Sequence, residues 1–383
     1  MVESSSFRPM LNEDHLVIYL NYNNRSIVFN DEDQTVTVGA MVQLGEFNAF
    51  LDQYNLSWEV NFSAHSASIA GIVSTNAGGE RSKAASQVAY FDLIGGDGKE
   101  YRLYSDLEQT HSMFPKLGTA TQGLLGLITS ITIHVKPRFK ETLSAMVKIP
   151  YDQVNLFVDK LRDSPYLIAC EMMDHKCIKE VLDRQDDGMT LLIKWGSVNT
   201  LNLESEFEGL VNSFPDYVES MMVSDSVSSE EALWKSRHDL SDTLRHVAKQ
   251  KNMAYIGYDL GIPKDSLSRV INELNHYISS QGGHLFVFGH SMQSKTHYTL
   301  HCNYMMKKIN PQLLPRFIKD ELSDFDIHFS TEHGGCGEKS FNDILFVISQ
   351  QELKDILVLT RQYDPNDLFR RNFKQLLEEN IKS

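Results

Sequence analysis

The 383-residue sequence lacks several features that would mark a functional class at once. It has four cysteines, Cys170, Cys177, Cys302 and Cys336, and no two of them form a C-x-x-C pair. That argues against a disulfide framework or a dithiol site, and it reads as reduced packing thiols in a cytoplasmic setting. No run of about 18 apolar residues occurs, and the opening stretch from Met1 to Pro9 has no apolar core. Neither a membrane span nor a secretory leader is expected. Basic residues are in the minority, with Lys+Arg 36 against Asp+Glu 51 and a net charge of −15, so a broad footprint for nucleic acid or anionic lipid is not expected. No low-complexity linker or exact repeat separates the parts. The G-x-G-x-x-G fingerprint, the P-loop and the G-x-S-x-G nucleophile elbow are all missing.

What is present suits a folded chain of two or three packed units: 42 % hydrophobic, 10 % aromatic and 23 % charged residues. The first third reads as short strands and turns. His15–Leu20 and Thr35–Val38 are taken as hairpin strands, Val42–Tyr54 as a helix, and Ser68–Thr75 as a strand running into Asn76-Ala77-Gly78-Gly79. Val88–Ile94 and Tyr101–Tyr104 flank a Gly95-Gly96-Asp97-Gly98 turn, and Leu124–Val135 is a strand ended by Pro137. Beyond about residue 140 strands alternate with helices, as in an α+β sheet with helices on one face, built from two βαβ-type halves. One long helix is expected from Ser229 to about Lys249.

Three constellations could carry chemistry. The densest is His284, His290, His297 and His301, followed by Glu332-His333-Gly334-Gly335. On one continuous strand His290 and His297 would face opposite sides, so they converge only if Ser291–Lys295 is the turn of a hairpin. Two imidazoles and a carboxylate can hold Zn²⁺ with a position left open, and spacing alone leaves surface histidines with a solvated glutamate as the other reading. The second is Ser68–Gly79, whose small residues let a backbone approach an anion or a flat cofactor, with Gly123–Thr129 as a second approach; plain turns are the alternative. The third is Arg237 with Ser241, four apart on the expected helix, where paired donors would suit a carboxylate.

Taken in order, these segments resemble the FAD-linked oxidase/dehydrogenase family of vanillyl-alcohol-oxidase type, and within it the D-2-hydroxyacid dehydrogenase branch. Ser68–Gly79 is similar to the family's T-I-G-G…T-N-A-G-G flavin loop, and Gln122–Thr129 to its E-G-T-L-G-I-I-T segment. Leu233–Arg237 is similar to the helix bearing a substrate arginine, and Phe288-Gly-His290 to His297 resembles G-H-x-G-D-G-N-x-H. Ser330–Gly334 resembles S-A-E-H-G, and Asp364–Phe369 the closing D-P turn. The resemblance implies an α+β fold: a PCMH-type FAD-binding domain over 1–138, a ferredoxin-like cap or substrate domain over 139–360, and a segment 361–383 returning to the first domain.

It also implies roles. Ser68, Ile69, Thr75, Asn76, Gly78, Gly79, Gly126 and Ile128 would contact non-covalent FAD. His290, His297 and Glu332 would hold Zn²⁺ or a similar divalent metal. Arg237 and Ser241 would assist binding of a small 2-hydroxy acid, and His333 would take its hydroxyl proton as hydride passes to flavin N5 and then to a separate electron acceptor. On the resemblance, the family's leading pyrophosphate-loop segment is expected to be lacking ahead of Ser4, its substrate lysine before Tyr258-Asp259 is Gly257, and its Gly-Asp-Gly-Asn is Met292–Lys295. Two further expectations follow: a homodimer or companion chain that supplies the leading segment, or, as the alternative function, a catalytically inactive homologue serving as a binding protein.

Overall fold

The computed structural model describes residues 25–60, 65–79, 82–104, 123–184, 187–199, 203–308, 310–330 and 350–369, with 374–375, 378–379 and 381. The chain forms two units, 1–137 with 331–383, and 138–330. Sequence reading set the corresponding edges at 138/139 and 360/361.

In the first unit β1 (Ile27–Asn30) and β2 (Thr35–Gly39) make a hairpin, with Ile27 opposite Val38. The partner of the expected strand at Thr35 is therefore Ile27–Asn30; the other expected strand, His15–Leu20, lies outside the described residues. Helix α1 (Leu44–Gln53) and the short β3 (Leu56–Ser57) follow. The segment after Ser68 is helix α2 (Ile69–Thr75), which corrects the expected strand. Ser68 caps it by accepting the Gly71 N–H, and Asn76 ends it in the left-handed region at φ 49°. Its buried Ile69, Ile72 and Val73 are spaced i, i+3, i+4, a helical stripe that the small residues between them disguise.

Strands β4 (Val88–Ile94), β5 (Glu100–Tyr104), β6 (Leu127–His134) and β7 (Lys136–Pro137) complete the unit. The main sheet has five strands in the order β1-β2-β6-β4-β5. Its core gathers Val36, Val38, Phe47, Ile69, Val73, Phe91, Ile131 and Ile133. The helix Gln350–Tyr363 belongs to this unit. Asn366 donates to the Gly96 carbonyl at 3.0 Å, and the Gly96 N–H donates to the Tyr363 carbonyl at 2.8 Å. Asp364 packs so closely on Gly96 that a Cβ there would lie 1.7 Å from its Oδ1.

The second unit is one antiparallel sheet of eight strands. Strand β8 (Glu141–Ile149), helix α3 (Val154–Arg162), β9 (Leu167–Asp174), α4 (His175–Leu182) and β10 (Met189–Ser197) make the first half. Helix α5 (Glu204–Ser213), edge strand β11 (Met222–Val223), α6 (Val227–His238) and α7 (Leu240–Gln250) connect to the second half. That half is β12 (Ala254–Pro263), α8 (Leu267–Ser280), β13 (His284–His290) and β14 (His297–Met306), then α9 (Leu313–Glu321) and β15 (His328–Ser330).

The spatial order β11-β8-β10-β9-β13-β14-β12-β15 shows two halves, β8-α3-β9-α4-β10 and β12-α8-β13-β14, meeting at β9 and β13. Helix α8 buries Leu267, Val270, Ile271, Leu274 and Ile278, one stripe at helical spacing, against Leu285, Val287, Leu300 and Cys302. The opposite face packs Met173, Leu192 and Phe288 against Trp234, Leu240 and Leu244, so helices cover both faces of the sheet, which corrects the expectation of one covered face.

The single helix expected over 229–249 is two helices meeting at Asp239. At about 100° per residue a straight helix would separate Trp234 from Leu240 by about 120°, and the break lets both reach the same core. Arg237 and Ser241 consequently do not share one helix face.

Candidate active site

The hairpin reading of the histidines describes the second unit. β13 and β14 are antiparallel, with His290 opposite Thr299 and Phe288 opposite His301. Residues paired across strands point to the same face, so His290, His301 and, four residues earlier on β14, His297 share it. Across the neighbouring ladders the same face carries Glu171 opposite His290 and Asp259 opposite His301. Arg162 of α3 steadies the bend, donating to the carbonyls of Ser291 and Ser294, while the Ser291 hydroxyl donates to the Cys170 carbonyl at 2.7 Å.

Glu171 joins the helical and hairpin parts of the site. Its Oε2 accepts from Arg237 Nε at 2.8 Å, and its Oε1 lies 2.6 Å from His290 Nδ1. Its side chain is only 1 % exposed. Burial pushes the carboxyl upward, yet His290 and Arg237 together outweigh it and hold it below the usual carboxylate range. Trp234 fixes α6 to β8 by donating to Ser144 Oγ at 2.9 Å, and Arg237, one turn on, lies 5.1 Å over the Phe288 ring. With Nε on Glu171, the terminal guanidinium nitrogens keep the paired-donor geometry that suits a carboxylate.

His301 forms a second carboxylate–imidazole pair: its Nδ1 is 2.7 Å from Asp259 Oδ1, and its ring stands edge-on to His290 with centroids 5.4 Å apart. A carboxylate on Nδ1 sets a histidine up to ligate through Nε2, so the setting of His290 fits a metal ligand. His297 is placed differently: its Nε2 lies 3.0 Å from the Asp326 carbonyl, and its ring lies 4.5 Å from His328. Glu332 and His333 lie outside the described residues. Lys295 is exposed on the bend.

The sequence reading gave no role to Glu171 or Asp259. The signal for Glu171 was a single carboxylate inside the otherwise apolar run from Leu167 to Met173. Where the family carries a lysine, the space beside Gly257 is filled by Asn303: a Cβ would fall 2.1 Å from its Oδ1, and its Nδ2 donates to Tyr255. Cys170, Cys177 and Cys302 are free and buried, and burial pushes the Cys170 thiol up to about 12, as expected of packing thiols. Cys336 lies outside the described residues.

The residues assigned to FAD fall in the first unit, and several have internal work. The N–H groups of Ile69, Asn76 and Gly79 donate to the carbonyls of Val42, Val73 and Ser82. Thr75 Oγ1 donates to the Gly71 carbonyl, Asn76 Oδ1 accepts from the Ala85 N–H, and Ile69 and Ile128 are in the core. Gly126, at φ +154°, lies against the Ile94 carbonyl, which a Cβ would meet at 2.4 Å. With its amides engaged, the segment does not make a phosphate cradle. Its small side chains and half-buried Asn76 fit the edge of a flat ring.

Comparison with known proteins gives the family. The FAD binding domain family matches residues 3–104, and the family of the C-terminal domain of FAD linked oxidases matches residues 136–334. D-2-hydroxyglutarate dehydrogenase of Stutzerimonas stutzeri (strain A1501) is 22 % identical over 92 % of this chain and 80 % of its own length. The mitochondrial D-2-hydroxyglutarate dehydrogenase of Arabidopsis thaliana is 22 % identical over 93 % of this chain, which spans 66 % of that protein. A solved structure of alkyldihydroxyacetonephosphate synthase superposes with a TM-score of 0.64 at 12 % identity, covering 90 % of this chain and 65 % of that one, a likeness of fold. Among the described residues no helix is long and apolar enough to cross a membrane.

Proposed function

The chain belongs to the FAD-linked oxidase family, and from that premise we propose that it oxidises a D-2-hydroxy acid to the 2-oxo acid. The substrate class comes from the D-2-hydroxyglutarate dehydrogenases it is similar to. The observation that carries the reading is that Arg237 and His290, 53 residues apart, meet on the one buried carboxylate of Glu171.

Arg237 would bind the substrate carboxylate through its terminal nitrogens, with Glu171 keeping the guanidinium aimed; the assisting role of Ser241 rests on the family resemblance alone, since the two do not share a helix face. His290, His297 and Glu332 are the ligands proposed for a divalent ion, which when bound would polarise the 2-hydroxyl. His333 would accept the hydroxyl proton, so that the C2–H pair can leave as hydride and the C–O bond becomes a carbonyl. Ser68, Ile69, Thr75, Asn76, Gly78 and Gly79, with Gly126 and Ile128, are proposed to hold FAD, which when bound would supply the two-electron acceptor at N5. A separate acceptor would then take the electrons.

The test is anaerobic. Purified protein equilibrated with FAD should show bound-flavin absorbance that D-2-hydroxyglutarate bleaches and its L-enantiomer does not. Protein that takes up no FAD, or bound flavin that no D-2-hydroxy acid reduces, would overturn the proposal.

A further inference from the structure

We propose that His297, Asp326 and His328 form a metal site in their own right, for a Zn²⁺-class ion held by two imidazole nitrogens and one carboxylate oxygen. One ligand atom from each residue lies within 4.8 Å of the others. Ligands about 2.1 Å from a tetrahedral ion lie about 3.4 Å apart, so small side-chain rotations close the set. Those rotations are open to it: the Asp326 side chain is 86 % exposed, and its Oδ2 already lies 3.4 Å from His297 Nε2.

The backbone brings the rings together. His328 lies opposite Gly261 across the β12–β15 ladder, and Gly261 lies opposite Thr299 across the β12–β14 ladder. A Cβ at Gly261 would lie 2.2 Å from His328 Nε2, so only glycine at this position lets the ring lie over β12 toward His297. On the far side of His297, Thr296 Oγ1 lies 2.9 Å from Nδ1. A hydroxyl can donate or accept, so this contact survives the tautomer change that turns Nε2 from a donor to the Asp326 carbonyl into a metal ligand. Two imidazoles and one carboxylate favour Zn²⁺, Co²⁺ or Ni²⁺ over Ca²⁺ or Mg²⁺ and leave a position for water or an anionic ligand.

This set shares His297 with the ligands proposed for the redox site, so one His297 cannot serve both ions at once; because it needs neither His290 nor Glu332, substitutions outside His297 tell the two apart. The experiment is Zn²⁺ titration of the full chain in competition with a chromophoric chelator, with no flavin or substrate present. His328→Ala and Asp326→Asn should each weaken binding by about tenfold or more, and Gly261→Ala, which removes no ligand, should weaken it by displacing the His328 ring. His290→Ala should leave this binding within about threefold. Wild-type affinity in both His328→Ala and Asp326→Asn would overturn the inference, as would Zn²⁺ lost in His290→Ala and kept in His328→Ala. Neither result bears on substrate oxidation, which the anaerobic bleaching reads separately.

Discussion

At the scale of single residues, Glu171 is the side chain on which the candidate site turns. A carboxylate out of water is costly, and it is tolerated here because a guanidinium meets one of its oxygens and an imidazole the other. Glu171→Ala would leave Arg237 largely buried without its acceptor and should lower unfolding stability by about 3–5 kcal/mol in denaturant titrations. Removing Arg237 in the same chain should recover part of that loss, because the orphaned cation goes with it. A Glu171→Ala cost below about 1 kcal/mol, the range of exposed ion pairs, would mean that the cluster is solvated and the substrate arginine is not held as described. The sequence made Arg237 and His290 visible through their neighbours, whereas Glu171 became legible only when the β9–β13 register placed it opposite His290.

At the scale of elements, local chemistry decides where the sequence pattern alone misleads. Helix α2 looked like a strand because seven residues, with only Ile69, Ile72 and Val73 large and apolar, carry little periodicity. Its caps resolve the ambiguity, and Ser68→Ala should destabilise the first unit by about 1 kcal/mol, seen as a lower urea midpoint. An unchanged midpoint would mean that the cap contributes nothing. The β4–β5 turn was legible from its glycines, and its acid response follows from Asp97.

The Lys99 ammonium, the Tyr101 hydroxyl and the Lys99 N–H all hydrogen-bond to the Asp97 carboxylate and hold it down to about 2, against an ordinary value of 3.8. Because the folded value is the lower one, the turn's contribution is present above the ordinary value and is lost as the pH falls through about 2. Carboxyl NMR of the full chain should find Asp97 titrating well below its neighbours. A midpoint at or above 3.8 would contradict the turn geometry.

At the scale of the whole molecule, the order of motifs along the chain carried more than any one of them. Each glycine turn or histidine pair had a plain structural reading, but the series Ser68–Gly79, Gln122–Thr129, Leu233–Arg237, Phe288–His297 and Asp364–Phe369 pointed to one family, and the family matches over 3–104 and 136–334 take in Ser68–Gly79, Leu233–Arg237 and Phe288–His297. The break at Asp239 and the meeting of His297 with His328 were not legible, because both depend on which cores and ladders long-range packing brings together. The claim that orders the rest is that a C2–H bond of a bound D-2-hydroxy acid breaks with hydride leaving toward FAD. Rapid anaerobic mixing of the FAD-loaded protein with D-2-hydroxyglutarate carrying deuterium at C2 tests it most directly. The account predicts that flavin bleaching slows severalfold against the protium substrate; bleaching at the same rate, or none with either, would contradict it.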